Sequence, residues 1–331
     1  MAVLLEPDLL HGVEIALFFN SFQNKGIYGI IVSAIIISLI IYKVFSIMLK
    51  NNISTYKEFL EKTVNVNKKI IININNNILN IFLLISFLVM MAGILTFFEQ
   101  ELKINNMLFS ILIILICYFV LIKDLDGVIK INEILIPILI FFIILIGIKY
   151  NNQINTNIDL KLNNNITKNW LLSSLIYTSY NSIVLIPILI SLKKEIINKK
   201  QIKIISCISG VIIGILAITI YRLLFIAGDS IGNIEMPLVF VAGKLGIIYK
   251  YMYGLVILVA IFTSAISSGY AFLENTTKTK KQYKIVCFIL CSVSIFISKF
   301  GFSSLVNTLY PIFGCLGIVQ IFYMFCRKDG Y

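Results

Sequence analysis

Charge is scarce in this chain. Only 13% of its 331 residues are Asp, Glu, Lys or Arg, 59% are hydrophobic, and mean hydropathy is +0.96. A soluble protein of this length needs far more polar surface, so the expected solvent is a lipid bilayer. Histidine is nearly absent, His11 being the single one. The six cysteines (Cys117, Cys207, Cys287, Cys291, Cys315 and Cys326) form no CxxC pair and have no histidine beside them. No metal site is expected, and the thiols read as small buried apolar groups. A paired intramembrane Asp constellation and a nucleophile with a basic partner are also missing, so an enzyme is not expected. Residues 1–10 lack a basic n-region and a cleavage site, which excludes a secretory signal there. No cofactor is implied.

What charge there is leans basic, with 28 Lys and Arg against 16 Asp and Glu. On a soluble domain that excess would suggest nucleic acid. Here the lysines gather between apolar runs, where they meet water and lipid headgroups, so no nucleic-acid partner is expected. Asn-rich tracts such as "IININNNILNI" share AT-rich codons with Ile and Lys, and carry no Asn-specific chemistry.

Apolar runs fall at roughly 9–22, 26–49, 77–98, 105–122, 127–149, 170–192, 204–227, 247–273, 285–300 and 304–326. Runs of about 20 apolar residues cross a bilayer as helices, because only a helix satisfies its backbone internally. The fold class is therefore all-α, a polytopic membrane protein of about ten helices, the first too short to span. The stretch 233–246 is apolar but short, and Pro237 suits a helix first turn, so a surface or re-entrant helix is expected there. Loops following even-numbered runs, with Lys43, hold 19 Lys and Arg against 9 elsewhere, which places both termini in the cytoplasm. Ten runs divide into five and five, over 1–149 and 169–331, with an external loop at 150–168. An odd number of helices per half makes the repeats inverted, a common transporter plan.

Within the sixth run, "LIYTSYNSIVLIPILI", the apolar character stops at Tyr177, Thr178, Ser179, Tyr180 and Asn181. Polar groups at mid-depth are costly unless they face protein, water or a ligand. One reading is a broken helix whose free backbone groups bind a solute. The other is an ordinary contact between helices. An uninterrupted helix over 170–192 would decide for the second. The corresponding first run contains Glu14, one turn from His11 and Phe18, with Gly12 able to loosen the backbone. A carboxylate inside an apolar helix marks a functional site by default; the other reading is a solvated Glu near a chain end. Lys130, Asn132, Glu133, Arg222 with nearby Asp229, and Trp170 as an interfacial aromatic complete the polar features. Gly210 and Gly214 form a GxxxG, expected to pack closely.

Four of these segments together resemble the YkvI-like membrane proteins: "GVEIALFFNSF", "GVIKINEILIPILI", "LIYTSYNSIV" and "AIFTSAISSGYAF". Those proteins are placed with the amino acid–polyamine–organocation superfamily and its LeuT-like fold of five plus five inverted helices, with helices one and six interrupted. The resemblance implies a secondary transporter of a small, amino-acid-like solute in a bacterial inner membrane. It places Glu14 at the unwound part of helix one, Tyr177 to Asn181 at the break of helix six, and Thr263 and Ser264 where sodium-coupled members hold the cation. Coupling to sodium would use those two hydroxyls, and coupling to protons would use Glu14. Polar packing between helices is the other reading of Thr263 and Ser264. "MAVLLEPDLL" stands where the family has half a helix, so helix one is expected to be truncated. The alternatives to transport are a membrane ligand sensor on the same scaffold and a non-transporting remnant.

Overall fold

All ten apolar runs fold as helices in the computed structural model, which describes residues 12–53, 55–63, 69–104, 107–123, 126–153, 167–196, 198–228 and 234–326. His11, Asp229, most of the 150–168 loop and the first ten residues lie outside the described residues. So do the side chains of Lys130, Asn132 and Glu133.

The helices are α1 (Val13–Phe18), α2 (Asn24–Asn51), α3 (Tyr56–Thr63), α4 (Lys69–Leu102), α5 (Met107–Ile122) and α6 (Asp126–Gln153). After the long loop come α7 (Trp170–Ser191), α8 (Lys199–Ala227), α9 (Pro237–Leu245), α10 (Ile247–Thr276), α11 (Lys280–Ser298) and α12 (Phe302–Cys326). No strand occurs among the described residues. Seven of the helices are long and apolar enough to cross a membrane. α5, with 16 residues, is shorter. Several helix starts are set by side chains, though α1, α2, α9 and α10 have no side-chain cap. Asn169 and Asn198 accept from the backbone N–H groups of Leu171 and Gln201, and Thr55 with Glu58 forms a reciprocal capping box. Some of the abundant asparagine thus ends loops cleanly.

The most buried spans are α4 and α7, each 72% buried along its apolar stretch, whereas α11 is 22% buried and peripheral. α7 runs between α2 and α12, α4 lies along α10, and α8 packs on α2 and α6. Part of the helix pairing is unchanged when α1 to α6 are exchanged in order with α7 to α12. α2–α8, α4–α10 and α5–α11 map onto themselves. α2–α7 exchanges with α1–α8, α6–α10 with α4–α12, and α4–α11 with α5–α10. Even the two short extra helices correspond, α3 following α2 as α9 follows α8. Other pairs have no extensive counterpart among the described residues: α7–α12, α1–α12, α8–α9 and α10–α11 are not matched by α1–α6, α6–α7, α2–α3 and α4–α5.

Close approach of α7 to α12 depends on missing side chains. A Cβ at Gly314 would sit 2.6 Å from the Ile176 carbonyl oxygen, and one at Gly317 would strike the Ser179 carbonyl. The GxxxG of α8 behaves as expected. A Cβ on Gly210 would lie 2.8 Å from Ser38 Cβ of α2, and Ser38 Oγ donates to the Ser206 carbonyl at 2.8 Å.

Two expectations need correction. The sixth run is not interrupted: α7 is one helix of 22 residues from Trp170 to Ser191, with Pro187 inside it, which decides for a contact between helices over a broken helix there. Its polar side chains do not need a break because most bond back into their own helix. Thr178 Oγ1 donates to the Ser174 carbonyl at 2.7 Å, Ser179 Oγ to Leu175 at 2.5 Å and Asn181 Nδ2 to Tyr177 at 2.9 Å. Such i−4 bonds satisfy hydroxyls and amides at depth without solvent. The cysteines also divide: Cys117, Cys287 and Cys291 are buried, but Cys207, Cys315 and Cys326 are exposed on the helix surfaces.

α9 begins with Pro237 at its first turn, as expected, yet most of it is buried against α10 and α8 rather than lying on the surface. Glu235, just before it, accepts from the Ser303 N–H at 2.5 Å, and its own N–H donates to Gln100 Oε1 at 3.2 Å. Lys250 pairs with Glu101 at 2.8 Å nearby. These contacts tie α9 to the ends of α4 and α12. At the opposite end, Gln320 Nε2 donates to Tyr56 Oη at 2.9 Å, seating α3 against α12. Burial pushes the Tyr56 phenol up, which keeps it neutral.

Candidate functional site

The interruption that does occur is in the first run. α1 ends at Phe18, not at Glu14. Phe19 leaves helical geometry (φ −129°), Asn20–Phe22 form one 3-10 turn, and Gln23 has φ +49° before α2 begins. Gly12 opens α1 at φ +84°, a conformation that costs a residue with a side chain about 1–2 kcal/mol. A Cβ there would also lie 2.9 Å from Leu238 Cγ of α9. Gly12→Ala is therefore expected to lower folding stability by roughly 1–2 kcal/mol, read as a lower thermal midpoint in detergent.

Breaking a helix frees carbonyls, and neighbouring helices answer most of them. Ser173 Oγ of α7 donates to the Phe18 carbonyl at 2.7 Å, and the Tyr221 hydroxyl of α8 donates to the Gln23 carbonyl. A backbone bent at this depth survives only with such partners.

Glu14, in the first turn of α1, is 2% exposed, and Tyr180 donates its hydroxyl to Glu14 Oε2 across 166 residues of sequence. Tyr180 stacks on Phe18 (centroids 5.6 Å, planes 20° apart) and meets Tyr310 of α12 at 4.9 Å. Tyr177 presents its ring edge-on with Phe18 at 5.5 Å and Phe19 at 5.0 Å. The carboxylate thus lies at a wall of five aromatic rings. At the other end of the interruption Asn20 is fully buried, and neither its Oδ1 nor its Nδ2 has a hydrogen-bond partner. The adjacent Ser21 Oγ is buried and unpartnered too. Each such group forgoes about 1–3 kcal/mol, so a fold keeps it only for a reason.

α7 therefore sorts its polar residues by face. Ser173, Tyr177 and Tyr180 look at α1. Ser174 accepts from Ser33 of α2 through its carbonyl at 3.3 Å, and Ser179 lies against Gly317 of α12. Of the sequence candidates, the structure brings together Glu14, Tyr177 and Tyr180. Thr178 and Ser179 are buried and Asn181 is half-buried, each bonded within α7. Thr263 is buried, donates to the Ala260 carbonyl at 2.9 Å, and shares with half-buried Ser264 a helix whose main neighbours are α4, α9 and α6. No group of three or more His, Cys, Asp or Glu able to hold a metal occurs among the described residues.

Sequence reasoning missed Asn20, Ser21, Ser173 and Tyr310. In a chain this rich in Asn and Ser, their residue types carry no signal. Only the sequence "FFNSF", a polar pair between aromatics in an apolar run, set Asn20 and Ser21 apart.

No family model matches the chain. Two relatives do. The chain is 24% identical to the uncharacterized membrane protein YkvI of Bacillus subtilis (strain 168) over 331 residues, covering 96% of this chain and 90% of that protein. It is a homologue of YkvI. A second protein of the same organism, the uncharacterized protein YyaD, is 30% identical over 213 residues, which is 63% of this chain and 60% of YyaD. The match to YkvI runs nearly end to end, so it takes in both α1 and the α7–α12 pair that enclose the site. Together with the seven long apolar helices it makes the chain a membrane protein with several spans.

Proposed function

We propose that the chain is a secondary transporter of a small, amino-acid-like solute, without covalent chemistry, built on the LeuT-like plan of the amino acid–polyamine–organocation superfamily. The observation that carries this reading is the wholly buried polar set at the interruption after α1: Glu14 held by Tyr180, and Asn20 with no partner. In this reading an ammonium on the solute meets Glu14, its polar end meets Asn20 and Ser21, and the packed rings of Phe18, Phe19, Tyr177 and Tyr310 part to admit it. The helix pairs that survive the exchange, α2–α8, α4–α10 and α5–α11 among them, support two inverted five-helix repeats, divided between residues 1–149 and 169–331. The lysine distribution supports cytoplasmic termini in a bacterial inner membrane. Coupling runs through a proton on Glu14 or through sodium at Thr263 and Ser264; a sodium-free uptake assay separates the two.

The test is Asn20→Ala in the full chain, assayed with a panel of L-amino acids and primary amines. The variant is expected to lose solute-dependent thermal stabilisation and uptake. Without solute it is expected to be more stable by about 1 kcal/mol, because an unsatisfied amide is gone. A panel member that stabilises and enters proteoliposomes equally well with Asn20→Ala would overturn the assignment.

The continuous α7 favours a second reading, a ligand sensor on the same scaffold. With one interrupted helix instead of two, the site has fewer hinges for alternating access. Ligand-dependent stabilisation with no flux into proteoliposomes would select it.

A further inference from the structure

Away from this site, α8 carries its single Arg five residues from its C-terminal end. Arg222 opens onto a lipid-facing cleft of about 340 Å³ between α6 and α8. The cleft walls are the isoleucines Ile144, Ile148, Ile215 and Ile218, and among the described residues no acidic side chain lines it. Ile148 is 60% and Ile215 51% exposed, so the cleft is open along its side toward lipid. Its shape comes from Gly147. A Cβ there would lie 2.5 Å from Thr219 Cγ2, so the helices touch at that point and diverge around it.

Depth matches as well. α8 has 29 residues, so it is about 43 Å long, and it overshoots a hydrocarbon core of about 30 Å by roughly 6–7 Å at each end. Arg222 is five residues from the last one, about 7–8 Å in, at the level where phosphates meet acyl chains. Lys149, also near this end of α6, is turned elsewhere: it donates to the Tyr249 hydroxyl and sits 4.7 Å above that ring. The cleft therefore presents one guanidinium above an apolar slot. A second cleft, between α2 and α8, adjoins the first at Ile215 and Ile218, is lined beyond them by Ile31, Ile35 and Val211, and has no charged residue.

We infer that the α6–α8 cleft is a binding site for one anionic phospholipid, its phosphate on Arg222 and an acyl chain along the isoleucines. Guanidinium pairs with phosphate through two parallel N–H donors, whereas a zwitterionic headgroup brings a competing cation of its own. The inference is independent of any solute.

The full chain, purified in a neutral detergent and given equimolar phosphatidylglycerol and phosphatidylcholine, reads out by native mass spectrometry. The expected result is one retained phosphatidylglycerol, preferred by roughly five- to tenfold. Arg222→Gln reduces that preference to parity, and Arg222→Lys keeps part of it. Ile144→Trp, on the α6 wall that only this cleft has, fills the slot and expels the lipid, while Val211→Trp in the uncharged cleft leaves retention unchanged. Unaltered phosphatidylglycerol retention in Arg222→Gln overturns the proposal, as does equal retention of both lipids by the native chain. If Arg222→Gln does not fold, unaltered retention in Ile144→Trp does so. Displacement of the lipid by glycerol phosphate at equal concentration would show that the site takes a free phosphate instead. A dimer that Ile144→Trp dissociates would show that a second copy covers the cleft; either outcome overturns lipid docking.

Discussion

Glu14→Gln is expected to weaken solute binding by at least about tenfold while leaving the protein folded. Glutamine keeps the length of the side chain and an oxygen for the Tyr180 hydroxyl, so the contact between α1 and α7 persists. What disappears is the negative charge. A charge-assisted hydrogen bond is worth about 1.5–3 kcal/mol, which corresponds to roughly 10–150-fold in affinity. The check is isothermal titration of the purified full chain with a solute that stabilises the native protein, beside circular dichroism of both forms. Native affinity in the glutamine variant would remove Glu14 from the site. Tyr180→Phe separates the roles further. It keeps the ring stack on Phe18 and removes only the hydroxyl, so affinity is expected to fall less than with Glu14→Gln.

Gly317→Leu is expected to have the largest effect on the fold itself. α7 and α12 touch backbone to backbone at this point, and the first added carbon meets the Ser179 carbonyl, which cannot swing aside as a side-chain tip can. Overpacking typically costs about 1–3 kcal/mol and more where only backbone can yield. A loss of at least about 3 kcal/mol would appear as aggregation or loss of the monodisperse peak in detergent. Gly210→Leu meets Ser38 Cβ, which belongs to a short side chain, and is expected to be the milder of the two. If Gly317→Leu is as stable as the native chain, α7 and α12 are not packed as described.

The sequence announced much of this site, and misread part of it for a physical reason. Glu14 stood out because a carboxylate in an apolar run is expensive. Tyr177 and Tyr180 stood out with it, and both do meet α1. Thr178, Ser179 and Asn181 looked like parts of the same feature because they are adjacent in the chain. On a helix, adjacent residues point about 100° apart, and these three find their partners one turn back in α7. Hydroxyl count along a run cannot distinguish a helix that is broken from one that absorbs its own polar atoms. Asn20 was invisible for the opposite reason: its residue type is ordinary here, and only its lack of a partner makes it unusual.

By itself the sequence determined that this is a helical membrane protein, where its apolar helices lie, and that one carboxylate sits in the first of them. Those properties are sums over some twenty neighbouring residues, and hydropathy records them locally. The tertiary structure alone decided which helix is interrupted, which faces of α7 and α12 meet, and which buried polar atoms are left without partners. Those depend on residues up to 198 positions apart coming within hydrogen-bonding reach, and no local pattern encodes that distance.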